Sequence, residues 1–99
     1  MQMYNSFIDE NLAYKYSWET KADYENPVII TESDTRRLNR KEGYEMLYFI
    51  RSLAKTWAWQ PPLTRSCRRL EKILKTEVPE KIVLYVEIKM WLEEHYEKL

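Results

Sequence analysis

The chain has 99 residues, with 16 Lys and Arg balanced by 16 Asp and Glu, and its aromatics are eight Tyr, four Trp and two Phe. That length fits one domain with its own apolar core, and the composition excludes a disordered tail. With one Cys there is no intrachain disulfide, and with one Gly there is no glycine-rich phosphate loop.

Scarce glycine also argues against a fold of many tight hairpins and for helices. The expected architecture is all-α: a small compact bundle of three to five helices forming one domain over 1–99, with 1–30 as a less regular N-terminal arm. Charge is unevenly distributed. Residues 1–34 carry two Lys against seven acids, residues 35–76 eleven Lys/Arg against three, and residues 77–99 three Lys against six. A basic middle thus lies between acidic ends, which bears on partners more than on fold.

In chain order, Ser6 and Asp9 have capping-box-like spacing and could open a short helix with Phe7, Ile8 and Leu12 as its apolar patch. Tyr14, Tyr16 and Trp18 then alternate with polar residues, as an extended segment does. Asn26-Pro27 marks a turn. Val28–Ile30 reads as a short buried extended piece or an entry into a helix. Residues 32–41 read as a polar turn or short helix anchored by Leu38, and Asn39 with Glu42 offers a cap.

Tyr44–Trp57 is strongly helical. Met46, Leu47, Ile50, Leu53, Ala54 and Trp57 share about 120° of arc at about 100° per residue, with Glu45, Arg51, Ser52, Lys55 and Thr56 opposite. Gln60-Pro61-Pro62 ends that helix. Thr64 can cap the next, which runs to about Thr76. It splits into an apolar side (Leu63, Cys67, Leu70, Ile73, Leu74) and a stripe of Arg65, Arg68, Arg69, Lys72 and Lys75 within about 120°. Pro79 suits the first position of a further helix. Residues 80–99 favour helix. The alternative is α+β, with residues 81–92 a strand whose Ile82, Leu84, Val86, Ile88, Met90 and Leu92 share a face.

Little points to catalysis. Cys67 lies on an apolar helix face, where a buried inert thiol is expected. His95 sits among Glu93, Glu94 and Glu97, as a solvated helix-end histidine does. Adjacent acids point to different helix faces and make no dyad. No enzyme activity, cofactor or metal is expected. The N-terminus lacks a basic n-region, and no apolar run approaches a membrane span, so a cytoplasmic location is expected and no membrane partner.

The candidate binding residues are Arg36, Arg37, Arg40, Arg65, Arg68, Arg69, Lys72, Lys75 and Trp59. They suit an acidic protein surface or, alternatively, nucleic acid, with phosphates on the cations and bases on the rings. The bland alternative is a solvated face, or internal pairing with Glu71 and the acidic ends. A second candidate interface is the acidic, aromatic N-terminus: Tyr14, Tyr16, Trp18, Asp23 and Tyr24. It suits a small inhibitor or immunity-type protein covering a basic enzyme. Association into a homo-oligomer stays open.

Overall fold

Among the described residues three helices carry the apolar pattern: α1 (Gly43–Thr56), α2 (Thr64–Thr76) and α3 (Tyr85–His95). They come from a computed structural model that describes residues 12–19, 27–58 and 64–96, with Thr64 and Arg65 described as backbone alone. Among these residues extended pairing is limited to two isolated bridges, so the small all-α bundle expected from the sequence is the architecture found. The candidate helix at Ser6–Leu12 begins outside the described residues, as do Asp23, Tyr24 and Trp59.

The central element is α1. Of the expected stripe, Met46, Leu47, Ile50, Leu53 and Ala54 are buried and Trp57, just past the helix end, is half-buried against the core, but Tyr48, Phe49, Arg51 and Ser52 are buried as well. Of the expected outer face, Arg51 and Ser52 are thus covered, while Glu45, Lys55 and Thr56 are half-buried. Part of the cover is the extended segment 27–30, whose main chain is tied down by the polar side chains of α1. Ser52 Oγ accepts from Val28 N (3.2 Å), Thr56 Oγ1 accepts from Ile30 N (2.9 Å), and Lys55 Nζ donates to the Pro27 carbonyl (3.0 Å). Backbone groups packed against a helix need such partners, and Ser, Thr and Lys supply them.

Leu70, Ile73, Leu74 and Cys67 of α2, with Ile88 and Leu92 of α3, complete the core around α1. The Phe49 and Tyr85 rings meet edge-on at 4.7 Å between centroids, which joins α1 to α3.

Residues 32–41 form turns, not the short helix considered above. Leu38 still anchors them, at 4% exposed. Asn39 Oδ1 accepts from Lys41 N (3.0 Å), closing a local turn rather than opening a helix. The α3 boundary also needs correction. Pro79 sits in a turn closed by Ile82 N on its carbonyl (3.1 Å), and the helix starts later, at Tyr85. The reason is pairing. Arg37 and Leu84 form an antiparallel bridge, with Tyr85 N on Arg36 O (2.8 Å) and Leu38 N on Val83 O (2.8 Å), so residues 83–84 are held extended. The strand alternative for residues 81–92 thus ends where the helix begins.

At the other end of α1, the arm residues 12–19 pass over the helix start. Ser17 N donates to Lys41 O (2.8 Å) and Gly43 N donates to Ser17 O (2.8 Å). Glu42 stands at the N-cap position but does not cap; its Oε1 accepts from Glu19 N (2.9 Å). This places Trp18 on the chain's one glycine: a Cβ at Gly43 would lie 2.5 Å from the indole. Gly→Ala inside a helix ordinarily stabilises by about 1 kcal/mol. Here the overlap reverses the sign, and Gly43→Ala is expected to cost about 1–2 kcal/mol, as overpacking does. The urea midpoint should fall with an unchanged slope. A rise would mean that Trp18 moves aside without loss.

Candidate binding face

The two sides of α2 are as distinct in space as in sequence. Cys67, Leu70, Ile73 and Leu74 are buried, while Arg68, Arg69 and Lys72 are exposed. Burial pushes the Cys67 thiol up to about 12, so it is a core side chain and not a nucleophile at neutral pH. The Arg65 side chain lies outside the described residues.

The lone acid of α2, Glu71, does not lie on the basic face. It is fully buried, and its carboxylate holds the arm. Ala13 N donates to both oxygens (2.9 and 3.1 Å), Tyr14 N to Oε2 (3.2 Å), and the Tyr16 hydroxyl to Oε2 (2.5 Å). Burial first, and then the carboxylate itself, raise the Tyr16 phenol pKa far above its ordinary value, so it remains a donor. Among the described residues these three donors take the place of the arginines with which the alternative reading would have paired Glu71.

The remaining cations divide by role. Arg36 pairs with Asp34, donates to Tyr48 Oη (3.3 Å) and lies over the Tyr85 ring at 4.7 Å. That ion pair, mainly its hydrogen bond, holds the Asp34 carboxyl below its usual range. Arg40 reaches across to the end of α2. Its guanidinium donates to the carbonyls of Leu74 (3.4 Å), Val78 (2.8 Å), Pro79 (3.0 Å) and Ile82. Both are structural. Lys75 is half-buried; its Nζ donates to Arg40 O (2.8 Å) and lies 4.7 Å from the centre of the Tyr16 ring. Arg37 has its backbone in the bridge to Leu84 and is exposed. Arg69 lies over the Tyr96 ring at 5.8 Å.

Of the aromatic candidates, Tyr16 points inward to Glu71. Tyr14 and Trp18 are 37% and 39% exposed, so each still presents ring to solvent. Trp18 also packs edge-on against Tyr44 at 5.0 Å. Because Glu71 grips Ala13 and Tyr14, the arm lies against α2. The two candidate surfaces read separately from sequence, basic helix and aromatic arm, are therefore neighbours.

Sequence reasoning missed Glu71 as a receptor, although a signal existed. At about 100° per residue Glu71 falls about 40° from Cys67, on the border of the apolar side. Arg40 gave no comparable signal, since nothing in its local pattern distinguishes it from Arg37.

Elsewhere, chemistry is sparse. His95 is exposed, stacks on Trp91 at 3.9 Å, and its Nδ1 lies 2.8 Å from Trp91 O. Among the described residues no group of three or more His, Cys, Asp or Glu could hold a metal ion, and no helix is long and apolar enough to cross a membrane. Comparison with protein-family models, curated proteins and solved structures finds no match for this chain.

Proposed function

We propose that this is a small non-enzymatic binding or regulatory protein of the cytoplasm that docks an acidic protein surface on the outer face of α2. The observation that carries this reading is the inward position of Glu71. With the helix's one acid buried under the arm, the exposed Arg68, Arg69 and Lys72 form an outward face with no carboxylate of their own helix among them. Tyr14, exposed and held to the same helix through its main-chain bond to Glu71, offers aromatic area of the kind that anchors protein interfaces. The lone buried thiol suits a reducing compartment.

A neutral chain with acidic ends favours a protein over a duplex, because duplex binders are usually basic overall. The test is affinity co-purification from the source cell with the wild type and with the triple variant Arg68→Glu, Arg69→Glu, Lys72→Glu, after checking by circular dichroism that helix content is unchanged. An acidic protein should be retained by the wild type, lost in the triple variant, and released as salt rises. An unchanged set of partners would sink the proposal. A gel shift with nucleic acid that weakens steeply with salt would transfer the face to the nucleic-acid reading.

A further inference from the structure

Where segment 38–41, the end of α2 and the 79–83 turn meet, the surface folds into a groove of about 280 Å³. Half-buried Val83 gives it apolar contact area over a floor formed by the buried Leu38, and Arg40, Lys41 and Lys75 line it against one acid, Glu80. Three cations around a concave surface of low dielectric concentrate positive potential there. The volume lies just below the usual range for small-molecule pockets, about 300–1,000 Å³, so only a small ligand fits.

The positions of the charges matter more than their number. The end of a helix is ordinarily negative, because its last carbonyls lack partners. Here Arg40 occupies those of Leu74 and of the turn beyond it, so that negative potential is already met. Glu80 acts on the same guanidinium, as its charge raises the Arg40 pKa against burial. Lys75 gives one bond to Arg40 O, which leaves donors on an ammonium that has three. The Lys41 side chain is exposed, and its main-chain groups, not its amine, make the bonds to Ser17 and Asn39. Burial pulls the Lys75 pKa down; the Glu71 carboxylate opposes that, and the nearby charges of Arg40 and Lys41 add to it.

We infer that this groove binds a small organic anion, a phosphate or carboxylate group on a compact apolar body, with Lys41 and Lys75 on the charged group and Leu38 and Val83 against the body. The site is separate from the exposed face of α2, and its ligand is a free small molecule.

Phenyl phosphate is the probe, titrated at constant ionic strength into the ¹⁵N-labelled chain and followed by amide NMR. Saturable shifts are expected at residues 38–41, 75 and 80–83. Inorganic phosphate should bind more weakly, because it lacks the ring that Leu38 and Val83 would cover. Lys41→Glu should weaken phenyl phosphate at least tenfold and Lys41→Gln by less. The neutral Gln variant serves if the Glu variant does not fold. The triple α2 variant should bind the probe as the wild type does, so the groove and the docking face fail or stand independently. Linear, unsaturated shifts would overturn the inference, as would shifts centred on the outer face of α2 or full affinity in both Lys41 variants. Equal affinity for inorganic phosphate would overturn the part given to Leu38 and Val83.

Discussion

Replacing Glu71 with alanine should lower the stability of the folded chain by about 3 kcal/mol, which is large for one residue on a helix. The loss follows from what the carboxylate does. Two main-chain N–H groups and the Tyr16 hydroxyl end on it, within 2.5–3.2 Å, at a fully buried position. Hydrogen bonds to a charged acceptor contribute about 1.5–3 kcal/mol each and are not additive within one cluster. Removing the acceptor forces a choice between three unpaired donors and an undocked arm. Undocking costs less, so the loss should appear first in the arm. The Ala13 and Tyr14 amides should lose protection from hydrogen exchange while α1 amides exchange only as fast as the lowered global stability allows. Glu71→Gln keeps one acceptor oxygen and should lose about half as much. If Glu71→Ala melts within about 2 °C of the wild type, the arm is not held by this carboxylate.

Arg40→Ala should cost a similar amount, about 3 kcal/mol or a fall of about 15 °C in Tm. A single guanidinium serves four carbonyls that come from the last turn of α2 and the turn leading toward α3. Val78 among them is buried, so its carbonyl gains little from water when the arginine is gone. Burial pulls the Arg40 pKa down, yet a guanidinium remains charged at any physiological pH. Arg40→Lys tests the geometry: a point charge with a rotating ammonium cannot match a planar fork on four oxygens, and most of the loss should remain. Urea unfolding gives both numbers, and full recovery with Lys would show that charge alone matters.

The parts of the fold that were legible in the sequence are those where periodicity and burial coincide. Leu47, Ile50, Leu53, Leu70, Ile73 and Leu74 are core because their spacing is helical and nothing competes. Arg51 and Ser52 were placed on the wrong side because periodicity sees one helix at a time. Over Ser52 the cover is segment 27–30, which arrives from elsewhere in the chain with Val28 bound to Ser52 (3.2 Å), whereas Arg51 lies close enough to Cys67 of α2 for its charge to act on that thiol. Pro79 gave a local helix-start signal that a non-local bridge between Arg37 and Leu84 overrode. The cations show the same limit. Arg36, Arg40 and Arg37 look alike in sequence, but the first two are directed by Asp34 and by the carbonyls at the end of α2, while Arg37 is exposed.

The grip of Glu71 on residues 13–16 also orders events in time. These groups meet across 55–58 positions of chain, whereas α1 and α2 are joined by a short connection and need only local closure. Loop-closure entropy delays the distant contact until the helices are packed. The arm therefore closes as a late latch. Its loss should speed unfolding and leave the folding rate nearly unchanged, so that the lifetime of the folded state, more than the path to it, rests on one buried carboxylate.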